Sequence, residues 1–352
     1  MYIIVAIVAF GILIAVHELG HFSAAKILGV RVNEFAIGMG PKLIKKQGKE
    51  TLYSLRVLPL GGFCALEGEN GDSEDSRSFI AQKRWKRVVI LAAGGVANML
   101  IGFIIVIILV STMKNFGGTT ITDFAEGFPN EGVNGLMRGD TIISINGERL
   151  YYIDDFSLFM QIFKSGHVDM VIKRDGKTIR QNHFPLEKRE YMTNGEIQIR
   201  FGLSFNTIEG NAWEKIKYSC YSAYNYIRLV RVSLAQLISG AVGVRDLSGP
   251  VGIIDAMNDV GQSSSSFVEA LISIVHFTAI IGINMAVMNL LPIPALDGGR
   301  ILFIVITWVV EKVIRRRVDP KYEGYIHSAA LALLMGLMVF ILVNDVVKII
   351  NG

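Results

Sequence analysis

The chain has 352 residues, of which 51% are hydrophobic and 19% are charged, and its mean hydropathy is +0.43. A composition this apolar is typical of an integral membrane protein and argues against an ordinary soluble domain. The formal net charge is only +4, and the basic residues lie beside apolar stretches rather than along one face, which argues against a nucleic-acid-binding protein. Two cysteines far apart in the sequence, Cys64 and Cys220, do not predict a disulfide framework.

The first predicted element is an apolar helix over residues 2–28, which is long enough to cross a bilayer. It has neither the positive n-region nor the cleavage site of a signal peptide, so we expect it to remain in the mature protein. Near its end the sequence reads His-Glu-Leu-Gly-His. His17 and His21 lie on one face of the helix, one turn apart, and can bind one Zn²⁺ ion at ~2.0–2.1 Å per bond. In such a motif Glu18 is the general base rather than a ligand.

The same five-residue pattern can also arise by chance in a soluble helix. In a transmembrane helix each charged group costs ~2.5–3.5 kcal/mol to insert, so an accidental cluster is not expected there. The first helix therefore predicts zinc-dependent hydrolysis at a site within the membrane.

Three further apolar stretches are long enough to cross a bilayer, residues 88–113, 267–291 and 327–350. The middle one of these is followed by a break and a shorter apolar run over residues 301–310. The break predicts an unwound stretch between two helices and contains Pro292, Pro294, Gly298 and Gly299. Irregular backbone at membrane depth is stable only where protein or a water-filled cavity satisfies it, so the break is itself a candidate site. The predicted fold class is a multi-span α-helical membrane protein with about four transmembrane helices.

Lysine and arginine are concentrated in two connecting segments, residues 29–87 and 312–321. Because cytoplasmic segments carry an excess of these residues, both segments are expected to be cytoplasmic. The N- and C-termini and the long segment over residues 114–266 are then expected to be extracytoplasmic.

That long segment contains two strands that end in turn signals. One strand, residues 141–146, follows Gly-Asp and ends in Asn-Gly, and a second, residues 168–173, leads into Asp-Gly. The arrangement resembles a PDZ domain of the bacterial type, an α+β domain that binds extended peptides by strand addition. An unrelated small β domain is the alternative. Residues 211–240 predict an amphipathic helix at the membrane surface; a fifth span is less favoured because four basic residues interrupt it.

Two histidines do not complete a catalytic zinc site, which needs three protein ligands and a water. No third histidine follows His21 at the usual spacing, so a carboxylate is required. Glu34 and Glu50 are possible, but Asp297, beside the membrane-depth break, is the better candidate. A competing interpretation is that Asp297 caps the helix that begins near Gly298. The roles of helix cap and zinc ligand do not exclude each other.

The motif at residues 17–21, combined with Asn-Leu-Leu-Pro-Ile-Pro-Ala-Leu-Asp-Gly-Gly at 289–299, resembles the site-2 protease family of intramembrane zinc metalloproteases. Within that family the chain is most similar to the bacterial regulator-of-sigma-E protease type, with a single PDZ domain. Further similarity lies at residues 59–63, in the second span and at residues 248–252. The resemblance implies that the zinc ligands are His17, His21 and Asp297 and that the catalytic glutamate is Glu18. It also implies that substrate is bound by Asn289, Gly61 and Gly62.

The resemblance also implies partners and a location. The substrate would be a transmembrane protein such as a membrane-tethered anti-sigma factor, first trimmed by another protease, and the location a bacterial cell membrane. The predicted organisation has two membrane parts, residues 1–113 and residues 267–352. Between them lie a PDZ-like domain, residues 114–190, and a linker that contains the amphipathic helix, residues 191–266. Two alternatives of a different class are a zinc-binding membrane transporter and a non-catalytic membrane scaffold; transport needs no general base, and a scaffold needs no complete ligand set.

Overall fold

The computed structural model describes residues 2–69, 73–163, 166–193, 196–241, 243, 249–316, 326, 328–333, 335–341 and 343. The chain divides into two compact units. The helical unit comprises Met1–Leu109 and Tyr226–Gly352, and the sheet unit comprises Val110–Asn225.

The named elements alternate between long helices and strands. In chain order they are α1 (Tyr2–Ile27), β1 (Val32–Gln47), β2 (Leu52–Leu66), α2 (Arg84–Ser111), β3 (Asn115–Phe124), β4 (Thr141–Ile145), β5 (Glu148–Arg149), α3 (Ile153–Ile162), β6 (His167–Arg174), β7 (Lys177–Pro185), β8 (Arg189–Thr193), β9 (Glu196–Arg200), β10 (Leu203–Glu209), α4 (Ala212–Ile238), α5 (Pro250–Gln262), α6 (Phe267–Asn289) and α7 (Asp297–Ile314).

Three of the described helices, α1, α2 and α6, are long and apolar enough to cross a membrane, with mean hydropathies of 2.4, 2.6 and 2.0 over their most apolar windows. They correspond to the first three predicted spans. The predicted break after the third is also present, since α6 ends and α7 begins only after seven intervening residues, 290–296. Of the predicted fourth span, residues 327–350, the structure describes 328–333, 335–341 and 343, and these residues are helical.

Two buried clusters hold the helices of the helical unit. One joins the end of α1 to β1, β2, α2 and α7 through Ala25, Val30, Val32, Leu66, Phe79, Ile90, Leu91 and Ile304. The other joins the start of α1 to α5 and α6 through Ala6, Met257 and Ile274. Because both ends of α1 are packed, the His-Glu-Leu-Gly-His turn near its end is held against α2 and the β1–β2 hairpin.

The β1–β2 hairpin follows α1 directly. Residues 52–66 form one strand, β2, which folds around β1 so that Ala36 pairs with both Ser54 and Phe63. The segment 62–66, which we call the edge segment, has β1 on one side, and its other side pairs with no strand in the described part of the chain.

The sheet unit is built on a five-strand path, β10-β3-β4-β6-β7, with β5 paired to β4. Both predicted turns are present: Asn146 and Gly147 have φ of 48° and 81°, and Asp175 and Gly176 have φ of 48° and 80°. Positive φ at both central residues is the two-residue turn that matches strand twist. The sheet takes its outermost strand, β10, from beyond residue 190, where the sequence had placed the end of this domain.

The predicted helix over residues 211–240 is α4. With 27 residues it is long enough to cross a membrane, but it is not among the described helices that are also apolar enough to do so. In the sheet unit its first turns are fixed to α3 by polar contacts: the Tyr152 hydroxyl donates to Glu214 at 3.0 Å, and Asn225 donates to Asp155. Its location at a membrane surface stays a prediction.

Arg174 is expected to be the most sensitive ionic residue of the sheet unit. Its guanidinium donates to both carboxylate oxygens of Asp140 at 2.8 and 2.7 Å and to the Gly135 carbonyl at 2.7 Å. The Asp140 side chain is fully buried, so Arg174→Gln leaves an uncompensated charge and should cost ~3–5 kcal/mol. Hydrogen exchange of the sheet-unit amides in the full chain measures this loss.

A matched control is Arg138→Gln. The Arg138–Asp123 pair is exposed, at 65% and 57% of the two side chains, and such pairs contribute ~0–1 kcal/mol. Equal exchange rates for the two variants would contradict the assignment of Arg174 as a buried structural cation.

Candidate metal centre

The helical period of α1 brings two imidazoles to one place. His17 and His21 are one turn apart, only 7% and 8% exposed, and their Nε2 atoms are 3.1 Å from each other. Their rings are nearly perpendicular, with an interplanar angle of 85°. Two imidazole nitrogens therefore converge on one point inside the protein, as the sequence predicted.

The break between α6 and α7 brings a carboxylate to the same point. Asp297 is the first residue of α7, and its Oδ2 lies 3.2 Å from Nε2 of both His17 and His21. The residue that caps α7 is Leu296, and no side chain makes a capping hydrogen bond there. The competing interpretation of Asp297 as a helix cap is therefore wrong, and its carboxylate is directed to the histidines instead.

These three groups fit a metal ion. His21 Nδ1 lies 2.8 Å from the Ile90 carbonyl, so Nδ1 carries the donated proton and Nε2 presents a lone pair. Asp297 Oδ2 is buried and receives no hydrogen bond from the described part of the chain. Facing lone pairs at 3.1–3.2 Å repel one another unless a cation lies between them. Their spacing is close to the ~3.3 Å edge of a tetrahedron with ~2.0 Å bonds to zinc.

Helix α2 comes close to the two imidazoles because it has a glycine there. A Cβ at Gly94 would lie 2.7 Å from Cε1 of both His17 and His21, and closer still to His21 Nε2. Real Cβ atoms do not approach other heavy atoms this closely. Gly94 therefore forms a wall of the metal centre that the sequence analysis did not assign; its signal was the Gly-Gly pair in an otherwise bulky apolar helix.

A cavity of about 320 Å³ opens onto the cluster. Glu18 lines it together with the two histidines and Asp297, and so do residues 63–66 of the edge segment. The backbone N–H of Cys64 hydrogen-bonds the Glu18 carboxylate. The cavity therefore has a carboxylate and a strand edge next to the three metal-binding groups.

The residues assigned to substrate from the resemblance also lie near this cavity. Asn289 ends α6, and its Nδ2 is 3.4 Å from His17 Nδ1. A Cβ at Gly62 would lie 3.2 Å from Glu18 Cγ, a tight contact, so glycine favours the close approach of the hairpin to the glutamate. Gly61 has φ of +100°, which a side chain would disfavour.

The other candidate third ligands are engaged elsewhere. Burial raises the pKa of Glu34, but hydrogen bonds from Ser54, Lys42 and Arg56 outweigh it and lower that pKa to about 2. Glu50 pairs with Lys26 and, at 2.8 Å, with Arg77. Among the described residues, His17, His21 and Asp297 form the one group of three metal-binding side chains.

The remaining histidines are not part of this cluster. His167 and His183 stack on each other in the sheet unit with ring centroids 4.2 Å apart. His276 lies 2.6 Å from the Tyr226 hydroxyl. His327 is outside the described residues.

A glutamate beside converging metal-binding side chains is the arrangement of metal-dependent hydrolases, and here helices of membrane length carry it. The chain belongs to Peptidase family M50, the site-2 protease family, which it matches over residues 5–337. This assignment confirms the resemblance found from the sequence.

Relatives of nearly equal length support the assignment. The chain is 35% identical to a protein of Clostridium acetobutylicum over 99% of this chain and 98% of the relative. It is 33% identical to one of Clostridium perfringens over 99% of both chains, and 30% identical to one of Fusobacterium nucleatum over the whole of both. All three are named as candidate zinc metalloproteases. The protein is therefore a zinc metalloprotease with apolar helices of membrane length.

Proposed function

We propose that this protein is an intramembrane endopeptidase that hydrolyses a peptide bond in the transmembrane segment of a membrane-tethered regulatory protein, such as an anti-sigma factor. One observation carries the proposal: Nε2 of His17 and His21 and Oδ2 of Asp297 converge within 3.2 Å of one another, next to Glu18, on helices apolar enough to span a bilayer.

In this proposal His17, His21 and Asp297 hold the zinc ion. When bound, zinc supplies a Lewis acid that polarises the scissile carbonyl and lowers the pKa of a water to ~7. Asp297 adds one negative charge to two neutral imidazoles, so the site keeps a net positive charge for a developing oxyanion. The Ile90 carbonyl holds the His21 ring in the required tautomer.

Glu18 acts as general base and then as general acid. Its carboxylate takes a proton from the attacking water and delivers it to the leaving amine, so the base is restored when the two fragments separate. The Cys64 amide that hydrogen-bonds Glu18 orients the carboxylate toward the cavity. Asn289 donates a hydrogen bond from its side-chain amide to the substrate backbone.

A transmembrane helix hides its peptide groups in its own hydrogen bonds, so a substrate has to unwind before cleavage. Residues 63–66 of the edge segment line the cavity and have a described strand partner on one side only, so in this proposal the unwound chain is held there as an added strand. Gly62 allows that segment to lie against Glu18, and Gly61 allows it to pack against Met39.

We further propose that the sheet unit is a single PDZ-like domain on the extracytoplasmic side of a bacterial cell membrane, as are both termini, and that it excludes substrates not yet trimmed by another protease. The two hairpin turns and the α3 helix beside the sheet support this fold assignment. Deletion of residues 120–190 is expected to let untrimmed substrates be cleaved. Unchanged rejection of untrimmed substrates by the deletion variant would refute the filter.

The proposed activity is tested with the full chain in lipid vesicles and a reporter that contains one transmembrane segment. Removal of zinc by 1,10-phenanthroline is expected to stop cleavage, and added Zn²⁺ is expected to restore it, because three ligands leave one zinc position open to water and substrate. Zinc flux across the vesicle membrane without any cleavage would instead favour the transporter. Intact reporter with bound zinc and no flux would favour the scaffold.

A further inference from the structure

An ion pair outside the metal cluster joins the helix of Asp297 to the hairpin. Arg300 lies one turn after Asp297 on α7, and its Nη1 pairs with the carboxylate of Glu69, in the turn that follows β2. Arg300 Nη2 also donates to the Glu69 carbonyl at 3.3 Å. The guanidinium thus binds both the side chain and the backbone of one residue, which a lysine ammonium does less well.

Glu69 continues the connection to the edge segment. Its second carboxylate oxygen accepts the backbone N–H of Leu66, the last residue of β2, at 3.3 Å. The turn itself is fixed, because Glu67 donates to the Arg31 carbonyl at 3.0 Å and accepts from the Phe79 amide at 2.7 Å. A continuous set of contacts therefore runs from the α7 helix of Asp297 to the end of the strand edge.

The pair is shielded, unlike most surface ion pairs. Both side chains are only 21% exposed and both line the cavity that contains Glu18. The Arg300 guanidinium also lies 5.9 Å from the ring centroid of Phe79, which is 2% exposed and part of the buried cluster around α2. A partly buried cation held by a carboxylate and an aromatic ring has little freedom to move.

We propose that Arg300 and Glu69 are positioning residues that hold the edge segment in a fixed place relative to the metal centre and so determine which bond of the extended substrate is cut. The inference rests on the proposed function, in which the substrate strand is added to that edge. Residues along a strand are ~3.3 Å apart, and a misplacement of ~1 Å at the reacting bond can cost a factor of ~100 in rate. A small movement of the edge therefore lowers the rate and brings neighbouring bonds to the site.

The experiment uses the full zinc-loaded protein in vesicles with the transmembrane reporter. It compares the unsubstituted chain with Arg300→Gln, Glu69→Gln and the double variant, and measures kcat, KM, zinc per chain and the masses of both products. We expect each single variant to keep its zinc, to lose roughly 10- to 100-fold in kcat, and to cut at two or more neighbouring bonds. Because the two residues act as one pair, the double variant should be no worse than the singles.

The matched control is Arg84→Gln. This change breaks the ion pair of Arg84 with Glu311, which joins α2 to α7 but does not line the cavity. It is expected to cut one bond at the unsubstituted rate.

Three results would overturn the positioning role. The single variants could cut only the original bond at the unsubstituted rate, the losses in kcat of the two single variants could add up in the double variant, or the loss in kcat could follow a loss of zinc. A reporter that the unsubstituted protein does not cleave would overturn the proposed function and this inference together. A single clean cut that all variants share would overturn the inference alone.

Discussion

Replacing Glu18 by glutamine is expected to leave zinc bound at one ion per chain and to lower cleavage of a transmembrane reporter by a factor on the order of 10²–10⁴. Glutamine has nearly the shape of glutamate and can still accept the hydrogen bond of the Cys64 amide. It cannot take a proton from water at neutral pH. The three groups that converge on the metal position, His17, His21 and Asp297, are unchanged. The variant therefore loses cleavage while it keeps its zinc.

Glu50→Gln is the matched control for this substitution. Glu50 was a candidate for the third ligand from the sequence, but its carboxylate pairs with Lys26 and Arg77 and does not line the cavity. The variant should retain both zinc and cleavage. Full activity in Glu18→Gln would contradict the assignment of the general base.

The second large effect is expected from Gly94→Ala, a change of one methyl group. The added Cβ would lie 2.7 Å from Cε1 of His17 and of His21. The His21 ring cannot move away freely, because its Nδ1 is held by the Ile90 carbonyl. We expect the variant to lose zinc and cleavage together, while the overpacking costs only ~1–3 kcal/mol of stability. Zinc analysis and thermal unfolding of the purified protein measure the two effects separately.

Val96→Ala is the control on the same helix. Val96 is 47% exposed and does not line the cavity at the metal centre, so zinc and activity should be retained. A Gly94→Ala protein with full zinc content and full activity would show that the imidazoles can shift without cost.

The sequence could predict the features that depend only on residues close to one another along the chain. His17 and His21 meet because they are four residues apart in a helix, and apolar runs of sufficient length predicted α1, α2 and α6. The Asn-Gly and Asp-Gly turns of the sheet unit follow from residues that tolerate positive φ. None of these inferences requires knowing where distant parts of the chain meet.

The third member of the cluster required the folded chain. Spacing alone left Glu34, Glu50 and Asp297 open, since a carboxylate far along the sequence reaches the histidines only through packing of α6 and α7 against α1. The membrane-depth break favoured Asp297, the family resemblance selected it, and the structure brings its Oδ2 to 3.2 Å from both imidazoles. The Leu296 cap then excludes the alternative of a helix-capping aspartate.

Long-range contacts also explain what the sequence analysis missed. The two-sided pairing of Ala36 depends on a fold of β2 around β1, which strand patterns do not encode. Gly94 and the pair of Arg300 with Glu69 matter because of what lies opposite them in space. A charged residue one turn after Asp297 in an apolar helix was nevertheless a signal, because such residues are costly unless they have a function.

The most direct test of an intramembrane zinc peptidase is to identify the bond that is cut. The full chain in vesicles is incubated with a transmembrane reporter in ¹⁸O-labelled water, and both products are analysed by mass spectrometry. Hydrolysis at the centre formed by His17, His21 and Asp297 predicts new termini inside the apolar segment, ¹⁸O in the new carboxylate, and neither product with Glu18→Gln. Cleavage confined to the soluble flanks of the reporter, or equal cleavage by Glu18→Gln, would contradict it.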